Sequence, residues 1–136
     1  MIIGVGIDIL NQDRMLKILQ KEEESFNKKV LSKKEFKEYN LLNTSQKKTN
    51  FVSKKFSSKE SFLKALGIGM GRGIKLTDIS ILHTDLGAPY IELNSSAKKF
   101  IEKYFKLKFS SVKMHLNTTD NGEVVVAVVI VEKLDD

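Results

Sequence analysis

A charged segment in the middle of the chain carries residue types that suit phosphate chemistry. Lys59, Glu60 and Lys64 lie within two turns of a predicted helix whose apolar positions recur at helical spacing. On a helical projection Glu60 lies about 40° from the apolar Phe56, so its carboxylate needs a partner at the edge of the core. Acid, base and flexible backbone together are typical of a site for a metal ion and phosphates. The flexible backbone is supplied by four alternate glycines after the helix: Gly67, Gly69, Gly71 and Gly73.

The same segment also allows a simpler interpretation. Glu60 and Lys64 have the spacing of an ordinary i,i+4 surface ion pair, which stabilises a helix by about 0.2–0.5 kcal/mol. In that case Gly67 ends the helix and the glycines after it form a loop. The segment alone does not decide between the two interpretations.

The first strand contains a second acidic candidate. Alternation along Ile2–Leu10 places Gly4, Gly6 and Asp8 on one face, so the carboxylate lies beside bare backbone that another group can approach closely. A dinucleotide-binding fingerprint is excluded because its third glycine is missing. Asp8 could instead cap the helix that follows. Together, Asp8 and Glu60 would supply two hard oxygen ligands, which suit magnesium bound to substrate phosphates.

Length and composition indicate a single compact domain over residues 1–136, with 41% hydrophobic residues and one proline. The chain has no cysteine, which excludes disulfides, thiolate catalysis and cysteine-ligated zinc and fits a reducing cytoplasm. Asp8 and the lack of a basic leading segment make Met1–Leu10 a strand rather than a signal peptide. No run is long enough to span a membrane.

Positive charge is concentrated in the first half of the chain. Residues 14–75 contain sixteen Lys or Arg against six Asp or Glu, whereas residues 77–136 contain seven against nine. The first half should attract an anionic partner, such as nucleic acid, a phosphorylated small molecule or an acidic protein. The lysine pairs lie in polar stretches without interleaved aromatic residues, which argues against nucleic acid.

Hydrophobic periodicity and turn residues predict an α+β fold with a mainly antiparallel sheet and a long helix packed on it. Three helices follow the first strand; Asn11 or Asp13 caps the first, Ser32–Glu35 forms a capping box for the second, and Asn43–Ser45 introduces the third, which ends near Gly67. The remaining predicted elements are strands at Ile79–His83 and Pro89–Leu93, a helix at Ser95–Phe105 capped by Asn94 or Ser95, and a final hairpin of Val112–Thr118 with Val124–Glu132.

Four segments together resemble the holo-acyl-carrier-protein synthase family. They are Gly4–Ile9, with Arg14 six residues after Asp8; Lys55–Gly67; Gly87–Tyr90; and the valine-rich last strand. The family pairs an early Gly-x-Asp with a later Lys-Glu-Ala/Ser-Phe-x-Lys-Ala-Leu-Gly, and this chain has both in order. The resemblance covers nearly the whole chain.

The resemblance implies a short, bacterial-type 4′-phosphopantetheinyl transferase, which moves the phosphopantetheine arm of coenzyme A onto a serine of apo acyl carrier protein and releases adenosine 3′,5′-bisphosphate in fatty acid biosynthesis. It assigns Asp8 and Glu60 as magnesium ligands and Lys64 as the residue that holds the pyrophosphate. Lys59, Gly67 and Gly69 would lie near the nucleotide phosphates. The implied assembly is a homotrimer with coenzyme A between neighbouring chains.

The implied reaction agrees with the residues that are present. The attacking hydroxyl belongs to the carrier protein, so no nucleophile from this chain is needed, and Glu60 or a metal-bound water could accept its proton. Because acyl carrier proteins are strongly acidic, Arg14, Lys17 and Lys21 on the first helix are the docking candidates. Arg14 matches a basic position of the family, and the other two rest on helical spacing.

Two residues depart from the family pattern. Asp120 stands near the place of a family histidine that leads into the last strand, and Lys55 replaces a frequent arginine, which keeps the charge but loses the bidentate fork. His115 lies five residues before Asp120 and is interpreted as structural, and His83 as part of a strand end.

Two other functions remain open at this point. A basic binding module for nucleic acid or an acidic protein would explain the charge asymmetry but not the placement of Asp8 and Glu60. A related synthase serving a carrier protein of polyketide or peptide assembly is the other possibility, although the short chain argues mildly against it.

Overall fold

The structure, a computed structural model, describes residues 1–135 and confirms the predicted order of helices and strands. Two short 3₁₀ turns, Leu76–Asp78 and Phe109–Ser111, lead into the second and fourth strands. The helices and strands are β1 (Ile2–Asn11), α1 (Gln12–Val30), α2 (Lys33–Tyr39), α3 (Ser45–Ala65), β2 (Ile79–His83), β3 (Pro89–Leu93), α4 (Ser95–Phe105), β4 (Val112–Asp120) and β5 (Val124–Lys133).

The predicted antiparallel pairing is confirmed, but it is divided between two sheets. In the larger sheet β5 lies between β1 and β4, and in the smaller sheet β2 pairs with β3. Asp8 on β1 lies opposite Ala127 on β5, and Asp120 at the end of β4 lies opposite Val125. The larger sheet therefore joins the first strand of the chain to the last.

The glycine face of β1 packs directly against α3. A Cβ atom added to Gly4 would lie 1.7 Å from the carbonyl oxygen of Ala65, and one added to Gly6 would lie 1.8 Å from that of Ser61. Only glycine lets the strand and the helix approach this closely. The bare backbone predicted beside Asp8 is thus covered by α3, and Asp8, two residues further along the same face, meets that helix as well.

α3 is buried on most of its surface because it contacts both parts of the core. Phe62 and Leu63 belong to a cluster formed with the sheets and α4, and Val52 belongs to a second cluster with Met15 of α1. Small polar side chains fill the closest approach to the larger sheet, where the Ser61 hydroxyl donates to the carbonyl oxygen of Ala127 at 2.8 Å. The buried side chains of α3 are therefore held in fixed directions.

The helix ends follow the predicted capping residues. Asn11 accepts hydrogen bonds at the start of α1, Ser32 and Glu35 form the capping box of α2, and Asn94 caps α4. α1 is kinked at Glu22, where φ is −147° and ψ is 42°. Among residues 1–135, no helix combines the length and hydrophobicity needed to cross a membrane.

On the face of the larger sheet that points away from α3, the apolar side chains of β1 are exposed. Val5, Ile7 and Ile9 of β1 keep 59%, 59% and 68% of their surface exposed. Their partners across the pairing with β5 are Ile130, Val128 and Val126, so the apolar strip continues onto the next strand. These six residues are called the outer sheet face below.

Candidate active site

Three of the predicted site residues meet where β1 crosses α3. The Oδ2 atom of Asp8 accepts a hydrogen bond from the Ser57 hydroxyl at 2.9 Å, and Lys64 Nζ lies 3.2 Å from Asp8 Oδ1. Lys64 also donates to the carbonyl oxygen of Ile7 at 3.0 Å. The Asp8 side chain is 15% exposed and that of Lys64 is 53% exposed. The carboxylate is thus fixed in place, while the ammonium group remains accessible to a ligand.

Glu60 is the third member of this cluster. Burial raises the pKa of Glu60, the charge of Asp8 raises it further, and Lys64 opposes both effects. Among the described residues, the buried Oε1 atom of Glu60 has no hydrogen-bond partner. A buried carboxylate oxygen left without a partner costs free energy, which a cation bound at this point would recover.

The two carboxylates of Asp8 and Glu60 fit a magnesium ion that keeps other ligands better than they fit a metal ion bound by protein side chains alone. Magnesium commonly takes one or two carboxylates and leaves its other positions to water and phosphate oxygens. Within residues 1–135, no group of three or more metal-binding side chains is present. Asp8 and Glu60, with the unpartnered oxygen of Glu60, therefore fit a magnesium ion that is shared with a phosphorylated substrate.

Lys59 belongs to the core, which corrects the prediction that it lies near the nucleotide phosphates. Its side chain is fully buried, with Nζ 2.5 Å from Glu35 Oε1 and hydrogen bonds to the carbonyl oxygens of Val30 and Leu76. Burial lowers the pKa of Lys59 to about 8, and the charge of Glu35 acts against that shift. Successive residues of a helix are turned by about 100°, so Lys59 points inward although its neighbour Glu60 reaches the site.

The glycine-rich loop starts one turn after Lys64 and lies on the surface. Gly67 has a φ of 70°, a left-handed conformation that ends α3 and favours glycine. Gly67 and Gly69 are both exposed. Gly73 has a different role, because a Cβ atom there would lie 2.1 Å from the ring of Phe100. The first part of the loop is therefore open to a ligand, and its end is packed against α4.

The predicted docking residues lie on the exposed side of α1. Arg14, Lys17 and Lys21 are all exposed, and their spacing places them along one side of the helix. They form a cationic strip on the element that directly follows β1.

A cavity of about 600 Å³ beside the first half of α3 was not predicted from the sequence. Its wall contains Lys47, Lys54 and Lys55, the ring of Phe51 and the amide side chains of Gln12 and Asn50. Residues 47, 50, 51 and 54 recur at i, i+3, i+4 and i+7, so one face of α3 could have been recognised as polar and basic. The contribution of Gln12 from α1 could not be recognised, because it depends on the packing of α1 against α3. This space is called the α3 cavity below.

Both departures from the family pattern lie in the α3 cavity. Asp120 Oδ1 lies 3.2 Å from Lys54 Nζ, and Asp120 Oδ2 accepts a hydrogen bond from Asn50 at 3.2 Å. The buried Lys55 donates to the carbonyl oxygen of Ile81 at 2.6 Å. His115 lies outside the cavity, and its Nε2 atom is 2.9 Å from Glu132 Oε2 at the surface of the larger sheet.

Comparisons with known proteins show the family to which this chain belongs. Residues 4–129 match the 4′-phosphopantetheinyl transferase superfamily. A holo-[acyl-carrier-protein] synthase of Wigglesworthia glossinidia brevipalpis is 37% identical over 133 residues, which cover 96% of this chain and 92% of that protein.

Solved structures of similar proteins have the same fold. The holo-[acyl-carrier-protein] synthase of Neisseria meningitidis superposes with a TM-score of 0.86 at 28% identity, over 98% of this chain and 100% of that chain. The synthase of Bacillus anthracis in complex with CoA (3′,5′-ADP) gives a TM-score of 0.79 at 28% identity, over 98% of both chains. The sequence motifs, the fold and these relatives agree: this chain belongs to the holo-acyl-carrier-protein synthase family of the 4′-phosphopantetheinyl transferase superfamily.

Proposed function

We propose that this chain transfers 4′-phosphopantetheine from coenzyme A to a serine of apo acyl carrier protein, giving holo acyl carrier protein and adenosine 3′,5′-bisphosphate for fatty acid biosynthesis. The observation that carries the proposal is the cluster of Asp8, Glu60 and Lys64, in which one buried carboxylate oxygen has no partner among the described residues. The similarity to a holo-[acyl-carrier-protein] synthase over 96% of the chain supports the choice of substrates.

Asp8 and Glu60 are the residues that would hold magnesium, and the enzyme would depend on that ion. When bound, magnesium supplies positive charge beside the pyrophosphate group of coenzyme A, where negative charge increases as the bond between the phosphates breaks. Ser57 keeps Asp8 oriented toward this position through its hydrogen bond to Oδ2.

Lys64 would bind a phosphate oxygen of coenzyme A. Its ammonium group has three donors, of which one reaches Asp8 and one reaches the carbonyl oxygen of Ile7. The remaining donor and the 53% exposure of the side chain leave it able to contact an incoming phosphate. Its charge would stabilise the adenosine 3′,5′-bisphosphate as it departs.

Glu60 is the candidate acceptor for the serine proton. The serine oxygen forms a bond to the phosphorus that carries pantetheine, and the bond from that phosphorus to the bridging oxygen breaks, so the bridging oxygen leaves with adenosine 3′,5′-bisphosphate. A carboxylate close to the serine hydroxyl can accept its proton as the new bond forms. No covalent intermediate with this chain is needed.

The nucleotide part of coenzyme A would extend along α3 from this cluster. The open backbone of Gly67 and Gly69 follows Lys64 at the end of α3 that is opposite to the cavity, where it can approach the pyrophosphate group closely. The α3 cavity, with its three lysines and the ring of Phe51, offers a surface for the adenosine 3′,5′-bisphosphate end.

The carrier protein would dock on α1. Its acidic surface is complementary to the exposed strip of Arg14, Lys17 and Lys21. Such complementary charge steers association and makes the rate dependent on salt.

We propose that the outer sheet face is a subunit interface of a homotrimer, which is the assembly that the family resemblance implies. Exposed apolar side chains on one strand beside half-buried apolar side chains on the next are typical of an interface between subunits. A second copy of this chain is the occupant we propose, because most soluble oligomers are closed assemblies of identical chains. We also propose a cytoplasmic location, which the absence of cysteine from the sequence supports.

The direct test is the intact mass of purified apo acyl carrier protein after incubation with this protein, coenzyme A and magnesium. A mass gain equal to one phosphopantetheine group is expected, and none in a parallel sample with EDTA. No gain, with a carrier protein that an established synthase does modify, would contradict the proposed transfer. A gain that persists in EDTA would contradict only the requirement for magnesium.

A further inference from the structure

The α3 cavity combines features of an anion-binding site with a nearby aromatic ring. The buried Lys55 Nζ lies 4.7 Å from the centre of the Phe51 ring. Gln12 is only 9% exposed, and its Nε2 atom has no hydrogen-bond partner among residues 1–135. An unpartnered amide N–H beside lysines is suited to donate a hydrogen bond to an oxygen of a ligand.

Asp120 places a negative charge in the same wall. It pairs with Lys54 at 3.2 Å and accepts a hydrogen bond from Asn50, which also donates to Gln12 at 3.4 Å. The side chains of Lys54 and Asp120 are 37% and 28% exposed, so water screens their interaction only in part. The other carboxylate of the cavity, Glu38, lies further from its lysine, at 3.9 Å from Lys55 Nζ.

We propose that Asp120 is an affinity-determining residue that competes with the nucleotide phosphates for Lys54. This inference rests on the proposed function. A phosphate that enters the cavity must either displace the Asp120 carboxylate from Lys54 or lie close to its negative charge. In both cases Asp120 weakens the binding of the nucleotide end, and it weakens the retention of adenosine 3′,5′-bisphosphate after transfer.

If Asp120 positioned Lys54 instead of competing for it, removal of its charge would change the affinity for nucleotide in the opposite direction. If Asp120 served to hold Lys54 in the orientation that binds phosphate, its removal would weaken nucleotide binding. The sign of the change in affinity therefore decides between competition and positioning.

The test is isothermal titration calorimetry with adenosine 3′,5′-bisphosphate, at low and at moderate salt, on the wild type and on Asp120→Asn. The variant keeps the shape of the side chain and removes its charge. We expect it to bind about 3- to 10-fold more tightly at low salt, the size expected for one partly screened charge, with a smaller gain at higher salt. Equal or weaker binding by the variant would overturn the proposal.

Glu24→Gln is the matched control. Glu24 is exposed on α1 and pairs with Lys28 at 3.5 Å, so this variant also breaks one ion pair and changes the net charge by the same amount. Its affinity for adenosine 3′,5′-bisphosphate should equal that of the wild type. A gain similar to that of Asp120→Asn would assign the effect to net charge and would overturn the proposal.

A double-mutant cycle tests whether the effect of Asp120 depends on Lys54. In a Lys54→Gln background the gain from Asp120→Asn should fall below about 2-fold, because the contested lysine is absent. A gain of undiminished size would contradict competition for Lys54.

The calorimetric test does not depend on transfer, so the two failures can be distinguished. Wild type that neither binds adenosine 3′,5′-bisphosphate nor modifies a carrier protein would contradict the proposed function and the role of Asp120 together. Unchanged binding in Asp120→Asn, with transfer to the carrier protein intact, would contradict only the role of Asp120.

Discussion

At the scale of single residues, Glu60 has an environment that makes its charge costly without a cation. Its buried Oε1 atom has no partner within residues 1–135, and both burial and Asp8 raise its pKa. The folded protein therefore holds the Glu60 proton more tightly than the unfolded chain does. Ionisation of Glu60 above its unfolded-state pKa thus reduces stability, and a bound cation removes that cost.

We expect Glu60→Gln to raise the melting temperature at neutral pH in the absence of metal, because glutamine has no charge to bury. This difference should disappear as the pH falls below the ordinary pKa of glutamate, where Glu60 is protonated in both states. Magnesium should raise the melting temperature of the wild type but not of the variant. Thermal unfolding followed by circular dichroism between pH 4 and pH 8, with magnesium or EDTA, measures both effects. A lower melting temperature of the metal-free variant at pH 7 would contradict this account of Glu60.

Lys59 shows what residue spacing cannot reveal. The sequence places Lys59 beside Glu60 in the family motif. Which of these two charged side chains is buried depends on where the core contains a residue of opposite charge. Glu35 supplies that charge from another helix, and its own position is fixed by the capping box of α2. Helical periodicity gives the direction of a side chain but not the partner at its end.

We expect Lys59→Met to lower the free energy of unfolding by about 3–5 kcal/mol, because it leaves Glu35 charged and buried. The double variant Glu35→Gln with Lys59→Met should recover at least half of this loss, since it removes the unpaired charge. Urea unfolding of the two variants provides the comparison. If Lys59→Met kept wild-type stability but lost affinity for nucleotide, the predicted contact of Lys59 with phosphates would be restored.

At the scale of helices and strands, the close approach of β1 to α3 brings Asp8 to Glu60 and Lys64. Alternation in the sequence predicts that Gly4, Gly6 and Asp8 share a face of the strand, and the structure confirms it. The sequence predicts a long helix packed on the sheet but not that this helix fills the glycine face of β1, because local patterns define an element without defining its neighbour. For the same reason the division into two sheets was not predicted, since the pairing of β1 with β5 joins opposite ends of the chain.

We expect Gly6→Ala to destabilise the protein by about 2–3 kcal/mol or more, because its Cβ atom would lie 1.8 Å from the carbonyl oxygen of Ser61 on α3. Gly69→Ala is the control, because the nearest atom to a Cβ atom there, Arg72 Cγ, lies at 3.7 Å. This variant should change stability by less than about 1 kcal/mol. Denaturant unfolding measures both, and equal stability of the two variants would contradict the requirement for close contact between β1 and α3.

At the scale of the whole molecule, the surface is divided between a cationic strip on α1 and the apolar outer sheet face. The charge asymmetry of the sequence predicts the cationic strip. The apolar residues of β1 are also visible in the sequence, but their exposure is not, because an apolar strand position ordinarily indicates the core. The exposure follows from α3, which covers the opposite face of the same strand.

We expect the wild type to be a trimer and Ile7→Lys to dissociate it, because a charge in the centre of the outer sheet face would be buried without a partner. Leu86→Lys is the control, since Leu86 is 99% exposed at the turn between β2 and β3 and lies outside that face. Size-exclusion chromatography with light scattering gives the mass of each. A monomeric wild type, or an Ile7→Lys variant that remains trimeric, would contradict the role of the outer sheet face.

We propose that phosphopantetheine is transferred at the cluster of Asp8, Glu60 and Lys64 with the help of magnesium. The most direct measurement is the rate at which apo acyl carrier protein gains the mass of phosphopantetheine with wild type, Glu60→Gln and the control Glu102→Gln. We predict a loss of at least about 100-fold for Glu60→Gln at saturating coenzyme A, and little change for Glu102→Gln on α4. A Glu60→Gln variant that transfers the group at the wild-type rate would contradict the assignment of this cluster as the active site.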